Sequence, residues 1–146
     1  MATLIEITEK FSDPDVTLTG EQRARVDPRT LETLWFNTGT LCNLTCANCY
    51  IESSPRNDRL VYIAAEEVRE YLDEIETERL GTHEIGLTGG EPFMNPDIIP
   101  IMTQCLERGY RLVVLTNAMK PMMKKSQELL ALNEAYGEQL VIRVSV

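Results

Sequence analysis

Three of the chain's four cysteines stand within eight residues, in the run Cys42-Asn43-Leu44-Thr45-Cys46-Ala47-Asn48-Cys49, a CxxxCxxC spacing. Such clustering does not resemble a disulfide framework and points to metal ligation or redox chemistry. Thiolates on so short a loop can all turn toward one inorganic centre. A four-iron cluster of the ferredoxin type uses four cysteines. Three leave one iron open, and an open position is what separates a reactive metal site from a closed structural one. Two other uses compete. A structural zinc ion requires a fourth ligand, and the candidates are Cys105 and His83. Cys105 lies in the apolar stripe of a helix and is expected to pack as a small hydrophobe, and His83 sits at a strand edge. A thiol–disulfide pair from Cys46 and Cys49 would be expected to open a helix in a different fold context.

Two further motifs have the residue types that hold ligands. Gly89-Gly90-Glu91-Pro92 combines backbone freedom with a carboxylate and a stiff exit. Thr116-Asn117 offers polar side chains, with a helix cap for the following segment as its alternative use.

The elements between these motifs alternate. Leu34–Thr38 is rich in strand formers, and a polar loop containing the cysteines runs on to about Val61. Ala65–Leu80 has Val68, Leu72 and Ile75 at helical spacing, and Gly81 is expected to end it. Glu84–Thr88 is the second strand. Asn95-Pro96 then reads as a cap and first-turn proline. The helix it opens carries the stripe Ile98, Ile101, Met102, Cys105 and Leu106, complicated by Pro100 and closed by Arg108-Gly109. Leu112–Leu115 is a continuous apolar run suited to a parallel strand buried on both faces. One helix is expected over Pro121–Tyr136, and a fourth strand over Leu140–Val146. In the first 33 residues, treated as an N-terminal extension, Leu4–Ile7 and Val16–Leu18 suggest short strands around a turn at Ser12–Asp15.

This is a β-loop-α-β-α-β-α-β pattern, so the expected fold class is α/β with a parallel sheet, either barrel-like or doubly wound. Both architectures put function at the C-terminal ends of the strands. The cysteines follow strand one, Gly-Gly-Glu-Pro follows strand two and Thr-Asn follows strand three. That coincidence weighs more than any single motif.

Composition sets the frame. The 146 residues suit one domain, with 43% hydrophobic and 25% charged residues. A net charge of −9 argues against general nucleic-acid binding. Much of the acid, from Glu66 to Glu78, reads as a solvated helix face. No apolar run approaches the ~18 residues of a membrane span, and the N-terminus does not resemble a signal peptide. A cytoplasmic protein without membrane or nucleic-acid partners is expected.

CxxxCxxC after the first strand of a βα repeat, followed some forty residues later by Gly89-Gly90-Glu91-Pro92, resembles the signature of the radical S-adenosylmethionine (SAM) superfamily. The resemblance covers residues 34–146. It implies a partial TIM-like barrel of six βα units, of which four strands are present here, and hence a chain truncated after strand four and inactive alone. By the same resemblance, Cys42, Cys46 and Cys49 bind a [4Fe–4S] cluster whose open iron takes the amino and carboxylate groups of SAM. Reductive cleavage then yields a 5′-deoxyadenosyl radical that abstracts hydrogen from a small-molecule or peptide substrate. The electron donor implied is a flavodoxin or ferredoxin. Gly89, Gly90 and Glu91 would hold the SAM amino group, Glu91 through a charge-assisted hydrogen bond. Asn117 and, near the end of strand four, Ser145 would complete the pocket. The family often has an aromatic residue just before the third cysteine; here Asn48 stands there, with an adenine contact implied, while Tyr50 would pack beneath the loop. The competing reading is a non-enzymatic iron–sulfur or metal-binding module.

Overall fold

The computed structural model describes residues 12–27 and 29–145. Four parallel strands, β1 (Thr33–Asn37), β2 (Glu84–Thr88), β3 (Arg111–Thr116) and β4 (Leu140–Val144), form one sheet in the order β1-β2-β3-β4. Helices α1 (Ala65–Thr77), α2 (Ile98–Glu107), α3 (Lys120–Met123) and α4 (Ser126–Tyr136) supply the crossovers. The register sets Phe36 beside Leu87 and Val114, and Ile85 beside Leu112. Those side chains meet Val68, Leu72 and Ile75 of α1, Ile101, Met102 and Cys105 of α2, and Leu129 and Leu132 of α4 in a single core. The opposite face places Trp35, Gly86, Val113 and Val141 in one row. There the Trp35 ring fills the space a Gly86 side chain would need.

The expected elements are present with four corrections. Helix α1 stops at Thr77, short of Leu80, because Arg79 adopts the left-handed conformation (φ 52°) and the N–H of Leu80 bonds the Ile75 carbonyl (3.1 Å). That is a Schellman closure without glycine. Pro96 does not open α2, which starts at Ile98 after Asp97 and carries Pro100 in its first turn, where the missing N–H costs nothing. Asn95 does cap this entry, its Oδ1 accepting from the Asp97 N–H (2.8 Å), and its buried amide also acts as a cross-link, donating to the carbonyls of Thr38 (3.1 Å) and Ile63 (2.9 Å). The helix expected over Pro121–Tyr136 is two helices, broken at Lys124-Lys125. A continuous helix would put Lys125 on the same inward stripe as Met122, Leu129 and Leu132. Near the start, Val16 makes only an isolated antiparallel bridge to Gln22, after an Asx turn in which Asp13 accepts from the N–H groups of Asp15 and Val16. The strand expected at Leu4–Ile7 lies outside the described residues, as does Val146; β4 ends at Val144, and Ser145 adds one more ladder bond to Thr116 (2.9 Å).

Candidate functional site

Beyond their C-terminal ends, β1 and β2 stay paired. Thr38 donates both its N–H (2.8 Å) and its hydroxyl (2.9 Å) to the Thr88 carbonyl. The N–H groups of Gly90 and Glu91 then donate to the carbonyls of Gly39 (2.8 Å) and Leu41 (3.0 Å). This pairing brings the Gly-Gly-Glu segment against the stem of the cysteine loop. The approach is so close that a Cβ on Gly90 would lie 2.2 Å from the Leu41 oxygen, against rigid backbone. Glycine here serves packing of backbone on backbone, in addition to any ligand that reaches it. Gly90→Ala is therefore expected to push the loop off its seat and destabilise the unloaded protein by about 1–3 kcal/mol. Equilibrium denaturation checks this; an unchanged midpoint would show that the stem yields freely.

The loop closes on itself. Leu41 bridges Ser54 in parallel, and the Cys42 N–H donates to the Ser54 carbonyl (3.1 Å). Thr40 and Leu60 exchange backbone and hydroxyl bonds where the loop returns. Cys42, at the stem, is buried; Cys49 is half-buried and Cys46 exposed. All three thiols line one cavity of about 190 Å³. Thr88 at the end of β2 with Gly89 and Gly90 beyond it, Leu115 and Thr116 of β3 with Asn117 beyond them, and Ser145 after β4 form its remaining walls, together with Leu44, Tyr50 and Ser53 from the loop. Most of the expected residues are thus brought to one place by a sheet that presents its strand ends side by side.

Three are placed otherwise. Asn48 is exposed and outside the cavity wall. Tyr50, expected beneath the loop, is instead 76% exposed at the cavity wall, its hydroxyl 3.4 Å from that of Thr88. Glu91 is 1% exposed and does not line the cavity. Its Oε1 accepts from the Phe93 N–H (3.1 Å) and the Thr116 hydroxyl (2.8 Å), and its Oε2 from the Asn117 N–H (2.9 Å). The carboxylate ties the exit of β2 to the end of β3. Asn117, held in this way, turns its amide toward Asn43 Oδ1 (3.0 Å) and the Cys42 sulfur (3.8 Å).

The thiols differ electrostatically. Burial pushes Cys42 above its ordinary value, opposed by the Leu44 N–H and reinforced by the negative charges of Glu91, Cys46 and Cys49. At Cys49 burial also pushes upward, but backbone N–H donors at Ile51, Ser53 and Glu52, with the Ser53 side chain close by, outweigh it, and the thiol falls below its ordinary value. N–H donors aimed at sulfur favour the thiolate, the form that ligates metal. Cys105 lies elsewhere, fully buried in the core, with burial pushing its thiol up to about 12. His83 is exposed.

The residues fit an iron–sulfur cubane better than a single ion. Among the described residues no group of three His, Cys, Asp or Glu side chains closes on one point that would hold a lone metal ion. The three thiols stand around a cavity instead, which leaves room for a larger centre. Ser53 adds a second sign: its hydroxyl oxygen is buried in the cavity wall and has no hydrogen-bond partner among the described residues. A buried polar group without a partner calls for an unseen one.

A parallel βα sheet that gathers three thiols around one cavity beside its strand ends defines an α/β protein with a candidate thiolate site. Residues 36–146 match the Radical SAM superfamily, and the chain belongs to that family. The family's cofactors are a [4Fe–4S] cluster and SAM. The chain is 34% identical over 105 residues to the antilisterial bacteriocin subtilosin biosynthesis protein AlbA of Bacillus subtilis (strain 168), covering 72% of this chain and 22% of that protein. It is 36% identical over 81 residues to the GTP 3',8-cyclase of Rhodococcus opacus (strain B4), covering 53% of this chain and 23% of that one. In fold it is similar to Streptococcus suis SuiB, solved with S-adenosylmethionine (TM-score 0.57, 23% identity, 69% of this chain and 23% of that chain). SuiB solved with its precursor peptide SuiA is similar to the same degree (TM-score 0.58, 23% identity, 69% and 22%). The four strands share the TIM-barrel-like fold of these proteins. The chain spans less than a quarter of the length of each of these relatives.

Sequence reasoning missed Ser53, Asn43 and Thr88. Serine in a polar loop gives no pattern, and Asn43 was hidden inside the cysteine motif it braces.

Proposed function

We propose that this chain is the cluster- and SAM-binding part of a radical SAM enzyme. The observation that carries the reading is the meeting of Cys42, Cys46 and Cys49 with the ends of β2, β3 and β4 around one cavity. Cys42, Cys46 and Cys49 would ligate three irons of a [4Fe–4S] cluster. With both cofactors bound, an electron passed from cluster to sulfonium supplies a 5′-deoxyadenosyl radical for hydrogen abstraction. The chain's own part is to hold and orient. Gly89, Gly90, Asn117 and Ser145 line the cavity and would meet SAM there, and Glu91 holds the Asn117 N–H from behind. Tyr50 stands at the cavity wall. A peptide is the favoured substrate class, because subtilosin biosynthesis and the SuiA precursor peptide appear among the relatives. A small redox protein such as a flavodoxin or ferredoxin would supply the electron.

The test is anaerobic reconstitution with iron and sulfide, followed by EPR of the reduced protein with and without SAM. A four-iron signal that changes on adding SAM is expected, since one iron lacks a protein ligand. A signal indifferent to SAM would favour a non-enzymatic iron–sulfur module.

A further inference from the structure

We infer that Ser53 is a hydrogen-bond donor built to meet the cluster at its Cys49 corner, and that it raises the cluster's reduction potential. The inference rests on the cluster-binding reading above and adds a residue outside every motif of the sequence.

The loop spends several interactions on turning this one residue inward. Glu52 takes the left-handed conformation (φ 54°), which favours glycine and is rare for glutamate. The Asn57 side chain donates to the carbonyls of Glu52 (2.9 Å) and Ile51 (3.4 Å), and the Asn57 N–H donates to that of Ser54 (3.3 Å). Ser54 is itself tied to the stem through Leu41 and Cys42. Between these anchors Ser53 is 4% exposed, lines the cavity, and directs its N–H to the Cys49 sulfur (3.3 Å). Its hydroxyl, on the same wall, lacks a hydrogen-bond partner among the described residues. Burying a hydroxyl without a bond is unfavourable. An arrangement that retains one, beside a thiol and facing a cavity, makes sense when the acceptor arrives with the metal. The acceptors a cubane brings are the Cys49 thiolate and the bridging sulfides, and hydrogen bonds to those sulfurs are one of the determinants of cluster potential. A donor stabilises the reduced, more electron-rich state more than the oxidised one.

Two opposite effects of Ser53→Ala separate this role from a packing role. Without metal, the variant loses only an unpartnered hydroxyl, so its denaturation midpoint is expected to match or exceed that of the parent protein. With the cluster assembled, the one-electron couple is expected to shift downward. At a fixed solution potential set with dithionite and mediator dyes, the reduced-to-oxidised ratio read by EPR falls roughly threefold to tenfold, tenfold being ~59 mV. Ser53→Thr keeps the hydroxyl and is expected to restore the ratio. Iron and sulfide content should be equal in all three proteins. A parent protein that takes up no cluster overturns the cluster reading and this one together. Full cluster loading with an unchanged ratio in Ser53→Ala overturns this one alone, and so does an equal fall in Ser53→Ala and Ser53→Thr, which would trace the effect to packing.

Discussion

Alanine at Cys46 is expected to reduce bound iron from about four per chain to a residue of less than about one, while leaving the unloaded protein as stable as before. The same loss of iron is expected at Cys42 and Cys49, but Cys46 is the cleanest of the three. It is exposed and its sulfur has no hydrogen bond among the described residues, so failure to bind iron cannot be attributed to a damaged fold. Cys42→Ala is less pure: Cys42 is 7% exposed and its sulfur accepts from the Leu44 N–H (3.4 Å) and the Asn117 amide. Cys105→Ala gives the reverse outcome, with iron retained and stability lowered by roughly 1–2 kcal/mol, because Cys105 is fully buried among Leu72, Met102 and their neighbours. Iron and acid-labile sulfide analysis after anaerobic reconstitution, paired with denaturation of the unloaded proteins, checks all four. Full iron in Cys46→Ala, or lost iron in Cys105→Ala, would mean that the ligand set has been assigned to the wrong thiols.

The gathering of the three cysteines at one cavity was legible because thiols on a single loop leave a local spacing. The strands and helices were legible for the same kind of reason: an unbroken run such as Leu112–Leu115 and a stripe such as Ile98, Ile101, Met102 and Cys105 declare which faces are buried. What escaped depended on partners distant in the chain or on backbone conformations without a residue signature. Arg79 closes α1 in a conformation usually left to glycine, so Gly81 was the natural but wrong stop. Asn95 is the cap its sequence suggests, but its second role as a cross-link arises only when the fold brings Thr38 and Ile63 to it. Lys125 breaks a helix because of which way its neighbours face. Ser53 is turned inward by Glu52 and Asn57, whose cooperation no pattern announces.

Glu91 shows the same limit inside the site itself, and it carries the second large effect. A carboxylate after Gly-Gly at a strand end reads as a ligand for a bound ammonium, yet both of its oxygens are engaged by protein donors and it is 1% exposed. Glu91→Ala is expected to destabilise the protein by about 3–5 kcal/mol before any cofactor is added, since it leaves the N–H groups of Phe93 and Asn117 without an acceptor and opens a void. Thr116 would fare better, its hydroxyl being free to rotate while it continues to accept from the Ala118 N–H (3.0 Å). Glu91→Gln keeps the volume but turns one acceptor into a donor. Whichever way the amide is placed, it must face at least one N–H or O–H with its own NH₂, for a loss of roughly 1.5–3 kcal/mol. Loss of SAM affinity should follow in both variants, because Asn117 is no longer held at the cavity. Denaturation of the cofactor-free proteins separates cause from consequence. A side chain whose only task was to receive SAM would leave the free protein's midpoint unchanged in Glu91→Gln, whereas a latch between β2 and β3 lowers it with no cofactor present.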